Sequence, residues 1–258
     1  MIYKYRGFSS PYKYDVFKKA ELYFASPSEF NDPFESKPQL IGLDTLKERQ
    51  KFVDGYINRE LKGIGFKKKQ ALKKQFLTRL SNKEHVKKDL YALLNSYGIY
   101  STAKKWNQCL MWSHYSESHK GFCIGFEFDN DFDDDAGMAH EVKYAEDYPK
   151  VHPDVFGDKN DENNFNLLEA TLATKSIDWE YEEEIRFIKL ARDGGSGIYK
   201  FRESKVKEVI IGAYASNQNK KELIEVIEKH MPWVDIFQAL LSESKYELIR
   251  ERLKLTKR

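Results

Sequence analysis

Residues 121–128, GFCIGFEF, make a nearly continuous apolar run of strand length. Successive side chains of a strand point to opposite faces, so a run that is apolar on both faces has to be covered on both. A chain built around this segment needs a sheet with packing on each side. At 258 residues it can supply one, burying about three quarters of its unfolded surface.

The flanking segments fit that plan. Tyr3 to Tyr5 and Leu22 to Ala25 alternate aromatic and polar residues, the period of half-buried strands, on either side of a short helix near Lys13 to Lys19. Further strands are expected in GIYST, in HEVKYA, over Glu184 to Ala191, Ile198 to Arg202 and Val206 to Gly212, and finally over Trp233 to Leu241 and Tyr246 to Leu253. Helices are expected in ENNFNLLEATLATK and after Ser216. Between Asp44 and Gly98 the pattern becomes helical. Thr45 and Glu48 form a capping box, Gly63 and Gly65 end the first helix, a lysine-rich second one covers Phe66 to Leu80, and Ser81 with Glu84 caps a third that Gly98 stops. Strands outnumber helices and rarely alternate with them one for one. The expected fold is therefore a single α+β domain over residues 1–258, a mixed and largely antiparallel sheet with a lysine-rich helical insertion at about 44–97.

The net charge of +2 conceals two blocks: Asp44 to Asn95 holds 14 basic and 6 acidic residues, Glu127 to Glu169 holds 3 and 14. Lys67, Lys68, Lys69, Lys73 and Lys74 in the basic block are candidate contacts to nucleic acid; a solvated helix face is the plainer reading. No stretch approaches the roughly 18 to 20 apolar residues that cross a bilayer, and the opening residues lack the apolar core of a secretory signal. A cytoplasmic protein without a membrane partner is expected, with Cys109 and Cys123 as buried thiols.

Several chemistries lack the residues they need. The carboxylates of Asp129 to Asp135 suggest a calcium loop, but an EF-hand register opened at Asp131 puts Ala136 where glycine is required and Val142 where glutamate is. His114 and His119 are five apart, no zinc spacing exists, and no glycine-rich phosphate loop precedes a helix, so no metal is expected. WEYEEEIR stands out. Read as strand, it puts Glu182, Glu184 and Arg186 on one face, a row that is either solvated or suited to stabilising positive charge. In FNDPFE, Asn31 and Asp32 suit a side-chain-capped turn as well as a ligand contact, with Glu35 beside them. Trp112, His114 and Tyr115 in MWSHY cannot all face one way on a helix.

With these motifs the chain is similar to a bacterial family known as domain of unknown function 2971. The resemblance lies in YKYR, LYFASPSEFNDPFE, MWSHYSESHKGFCIGFEF and WEYEEEIR. It implies kinship and no activity. The chain also resembles ADP-ribosyltransferases of the arginine, serine, glutamate type, through Arg6 on the first strand, Ser101 and Thr102 in GIYSTA, and the pair Glu182 and Glu184; Ala103 departs from that pattern. This likeness implies that Arg6 binds the pyrophosphate of NAD, Ser101 the nicotinamide ribose, and that Glu184 stabilises the oxocarbenium-like ribose. Tyr23, Phe30, Trp112 or Tyr115 would stack on a ring of NAD. The reading is an NAD-using transferase that modifies a macromolecule, as a toxin or phage-defence effector. Two others stay open: a non-catalytic module binding nucleic acid or protein, and a metal-dependent nuclease using Asp32, Glu35 and Glu184.

Overall fold

The computed structural model describes residues 1–128, 138–153 and 170–253. In chain order its elements are β1 (Ile2–Arg6), α1 (Asp15–Lys18), β2 (Glu21–Phe24), β3 (Gln39–Leu40), α2 (Leu46–Glu60), α3 (Phe66–Leu80) and α4 (Lys83–Leu94). Then come β4 (Gly98–Ala103), α5 (Cys109–Tyr115), β5 (Phe122–Phe126), β6 (Met138–Glu141), β7 (Lys143–Ala145), β8 (Lys150–Val151), β9 (Thr174–Ser176) and β10 (Glu184–Lys189). The last are β11 (Gly197–Lys200), β12 (Val206–Ile211), α6 (Asn217–His230), β13 (Asp235–Leu241) and β14 (Leu248–Arg252). These elements make an α+β fold. They divide into two compact units, one of residues 1–25, 98–142 and 178–258, the other of 26–97 and 143–177.

The first unit holds an eight-stranded sheet ordered β14-β13-β12-β5-β1-β4-β10-β6. Among its described pairings only β12 with β13 is parallel, and α6 makes the crossover between them. The apolar run is interior as its composition requires, β5 lying between β12 and β1 with every residue buried. Phe122, Ile124 and Phe126 enter one core with Phe17, Phe24, Tyr100, Phe187 and Leu223. Cys123, on the other face, packs with Tyr3, Tyr5, Ala103, Trp112 and Ile210. Burial raises the Cys123 thiol pKa well above its usual value, and the thiol is free. On that second face Glu208 accepts from the Tyr3 hydroxyl at 3.1 Å and from Arg250 at 2.5 Å, so the buried carboxylate is neutralised.

The second unit packs α2, α3 and α4 around Leu43, Val53, Ile57, Leu80 and Val86. The capping box of Thr45 and Glu48 forms as its spacing predicts. The cap of α4 sits one residue later than expected: Asn82 accepts from the His85 N–H, while the Ser81 hydroxyl turns back to the Thr78 carbonyl that α3 leaves unpaired. Gly98 opens β4 rather than ending α4, which stops at Leu94. HEVKYA divides into β6 and β7, and Thr174 and Lys175, expected at the end of a helix, instead open a strand that runs to Ser176 beside β7. The acidic loop from 129 to 135 and most of the expected helix at 162–175 lie outside the described residues.

Candidate functional site

WEYEEEIR does not run as one strand. Residues Ile177–Glu182 form a 3-10 helix, Glu183 takes a left-handed φ of 44°, and β10 begins at Glu184. Glu182 therefore precedes the strand instead of sharing its face, a correction that the β-like composition of the motif hides. Arg186 does continue the Glu184 face. Its Nε and Nη2 each donate to one oxygen of the Glu184 carboxylate at 2.9 Å, and both side chains are buried. Such a fork fixes the carboxylate in direction as well as in charge. Glu182 is also buried, and its Oε1 accepts from the Tyr115 hydroxyl at 2.6 Å.

β10 pairs with β4 so that Glu184 opposes Ala103 and Arg186 opposes Ser101. Ser101 thus shares a face with Glu184, one diagonal step away, about 7 Å between such positions. The Thr102 hydroxyl is committed to the Ile185 carbonyl at 2.8 Å and ties the two strands together. On its other side β4 meets β1, but their register has a single pair, Tyr3 with Ala103. Farther along, Ile99 exchanges both backbone hydrogen bonds with Ala25, at 2.9 and 2.8 Å. The ladder between β1 and β4 therefore opens toward Arg6 and Tyr100. Lys4 Nζ reaches across to donate to the Ser101 carbonyl at 2.7 Å and lies 4.9 Å from the centre of the Tyr100 ring.

Arg6 borders this opening from the opposite face. It pairs with Phe122, a residue of the aromatic core, whereas Ser101 and Glu184 face the core of Tyr3 and Tyr5. The three residues of the transferase pattern thus lie on three consecutive strands without converging on one face. Among the described residues, Arg6 Nε and the Tyr100 hydroxyl are buried without a hydrogen-bond partner. Burial pushes the Tyr100 hydroxyl up to about 12, and the nearby Arg6 guanidinium opposes that rise. The guanidinium and the hydroxyl are thus each other's nearest polar company at this opening.

The MWSHY helix divides its side chains as its period demands. Trp112 is wholly buried, donates from Nε1 to the Trp106 carbonyl at 2.6 Å, and meets Tyr5 edge-on. It has no ring face left for a ligand, and the expected stacking role is withdrawn. His114 is exposed, 6.1 Å from the Trp179 ring and 6.3 Å from those of Tyr115 and Tyr181. After α5 comes a feature invisible in the sequence: Glu117, Ser118 and His119 have φ of 53°, 56° and 67°. Left-handed backbone costs about 1–2 kcal/mol per non-glycine residue, so this turn is held by its surroundings. His119 N donates to the Trp112 carbonyl at 3.1 Å, Gly121 N to Ser116 at 2.8 Å, and the His119 ring stacks on Trp112. Burial lowers the His119 pKa.

The remaining candidates sit elsewhere. Tyr23 is exposed on β2, opposite Ile198 of β11. In the second unit Asp32 accepts from the Phe34 N–H at 2.9 Å, the turn-building role of an Asn-Asp-Pro motif, while Asn31 is exposed and Phe30 half-buried. Glu35 and Lys175 are both buried, 3.7 Å apart. On α3, Lys67, Lys68 and Lys74 are exposed, Lys69 is half-buried, and Lys73 pairs with Asp54 at 2.6 Å. Among the described residues no three His, Cys, Asp or Glu side chains are grouped to hold a metal ion, and no helix is long and apolar enough to cross a membrane.

Residues 111–187 match the family model of DUF2971, a protein of unknown function. The match opens within α5, takes in the strained turn, β5 and the 3-10 helix, and closes within β10, so it covers Glu182, Glu184 and Arg186. No curated protein matches the chain, and no solved structure does.

Proposed function

We propose that this chain is an ADP-ribosyltransferase-like enzyme that takes NAD at the opening between β1 and β4 and passes its ADP-ribose to a macromolecule. One observation carries the reading: the strands bearing Arg6, Ser101 and Glu184 are consecutive neighbours, and the ladder between the first two opens toward Arg6, beyond the Tyr3–Ala103 pair that Glu184 adjoins. A ligand lying in that opening meets both faces of the sheet. This is how Arg6, on the aromatic face, and Glu184, on the other, could serve one substrate.

The roles follow from the chemistry. Arg6 and Lys4 supply charge-assisted donors to the pyrophosphate, and Ser101 Oγ contacts the nicotinamide ribose. As the C1′–N bond to nicotinamide breaks, the electron pair leaves with nicotinamide and positive charge grows on the ribose. Glu184, already oriented by Arg186, stabilises that charge. A nucleophilic oxygen or nitrogen of the acceptor then bonds to C1′ and gives up its proton, for which Glu182 is the nearby base. Nicotinamide release from labelled NAD, compared between wild type and Glu184→Gln with DNA, RNA and protein acceptors, tests the proposal.

A second reading is favoured by α3. Apart from the pairs Lys73 with Asp54 and Arg79 with Asp89, this acid-free helix presents Lys67, Lys68 and Lys74 to solvent beside Gln70, Gln75 and Thr78. Three lysines stand in its first turn, where the helix dipole disfavours cations, and the Gly65 cap has no side chain to offset them. That face suits a polyanion, so nucleic acid is the macromolecule we propose, whether as acceptor of ADP-ribose in the cytoplasm, in a toxin or phage-defence role, or as the ligand of a module without catalysis. Binding that weakens steeply with salt and is lost in a Lys67→Glu/Lys68→Glu/Lys69→Glu variant separates the module from the enzyme if nicotinamide release is absent.

A further inference from the structure

Glu117 stands outside the carboxylates discussed so far, in the strained turn that follows α5. Its Oε2 accepts from the Phe8 N–H at 3.1 Å and its Oε1 from the Ser9 N–H at 2.8 Å, so one carboxylate holds the two amides that come just after the Arg6–Gly7 step. The approach is close enough that a Cβ on Gly7 would overlap the carboxylate, and a Cβ on Gly121 would overlap the Arg6 carbonyl oxygen. The turn thus grips the end of β1 at two points, with Gly121 against the Arg6 backbone and Glu117 against the amides beyond. The left-handed φ at Glu117, Ser118 and His119 directs the carboxylate there. A relaxed turn of SESHK residues would not.

We propose that Glu117 is a positioning residue for Arg6, fixing the end of β1 so that the guanidinium is held at the opening beside Tyr100. Its importance for NAD rests on the transferase reading; its hold on Arg6 does not. Glu117 touches no reacting atom. Its loss frees the Phe8 and Ser9 amides and lets the Arg6 side chain wander, weakening capture of the pyrophosphate while leaving Glu184 and Arg186 in place.

The test is an NMR comparison of the full chain with Glu117→Ala, the size-conserving Glu117→Gln, and Ser118→Gly as a control that keeps the carboxylate, each with NAD titration and kinetics. In Glu117→Ala we expect the Phe8 and Ser9 amides to exchange at least about tenfold faster and the Arg6 Nε–H resonance to shift or broaden. KM for NAD should rise about tenfold with kcat within about twofold, Glu117→Gln should fall between, and Ser118→Gly should keep the wild-type Arg6 signal. An Arg6 resonance and amide exchange unchanged in Glu117→Ala would overturn the proposal, as would a fall in kcat at constant KM. If the Arg6 signal responds but the wild type shows no affinity for NAD, the positioning role stands and the transferase reading falls.

Discussion

The two faces of the central sheet hold their charged side chains in different company. On the Glu184 face the charged side chains are paired with one another: the Arg186 fork grips Glu184, and Arg250 meets Glu208. Arg250 also lies 4.3 Å from the centre of the Phe237 ring, and on the Arg6 face too cations lie among rings. Lys4 sits over Tyr100, and Lys189, buried, sits 4.4 Å from the centre of Tyr199 and 5.5 Å from that of Phe24. Ion pairing fixes a group in direction, whereas these two lysines are seated on ring faces, Lys4 with its Nζ also donating to the Ser101 carbonyl at 2.7 Å. One face thus presets a carboxylate with a two-pronged ion pair, and the other seats its lysines against aromatic rings.

The largest effect should come from breaking the fork. Glu184→Ala leaves Arg186 buried without its carboxylate, which should cost about 3–5 kcal/mol of stability in denaturant unfolding. Glu184→Gln keeps the size and one acceptor, so it should fold with a smaller loss while nicotinamide release falls about 10²–10³-fold. If the Ala and Gln variants are equally stable, the fork is not the organising contact of that face. On the ring face, Lys189→Met keeps the stem and removes the charge. A loss within about 2 kcal/mol, the upper end for a desolvated cation over a ring, assigns Lys189 to its ring contacts, and a larger loss assigns it to its other contacts.

Away from the sheet, the triple change of Lys67, Lys68 and Lys69 to Glu should abolish salt-dependent binding to nucleic acid while slightly raising thermal stability. Acidic groups in the first turn gain from the dipole about 0.3–1 kcal/mol each. Loss of stability there would mean that the lysines serve the fold. The smallest effect concerns pH. Burial holds the folded His119 pKa below that of the unfolded chain, so unfolded molecules bind the extra proton first as pH falls below about 6.5. The contribution is fully present above that value and is lost on acidification. His119→Gln should flatten the slope of stability against pH just below 6.5.

Much of this fold was legible in the residues. The apolar run at Phe122 to Phe126, the Thr45 and Glu48 box and the Ser216 cap each have one conformation that satisfies them, so period and capping chemistry suffice. WEYEEEIR misled because bulky side chains read as strand whether or not the backbone is hydrogen-bonded, and tertiary contacts such as Gln108 to the Tyr181 carbonyl favour a 3-10 turn. The site was half legible. Glu184 and Arg186 share a face by simple alternation, and Glu182, Ser101 and Arg6 could be named. That Arg6 leaves the sheet on the other side depends on a register no single strand encodes. Tyr100, Lys4 and Glu117 were missed; the only trace of Glu117 is Gly7 and Gly121, whose small size permits the close approach. A left-handed turn without glycine writes no signal at all.

The central claim is that the opening between β1 and β4 works on NAD through Glu184. The most direct measurement is release of nicotinamide from labelled NAD by the full chain, with DNA, RNA and protein acceptors in turn, beside Glu184→Gln at matched folded concentration. The account predicts nicotinamide release with label transfer to at least one acceptor, and a drop of about 10²–10³-fold in the variant. No release with any acceptor, or equal release by the two proteins, would contradict it.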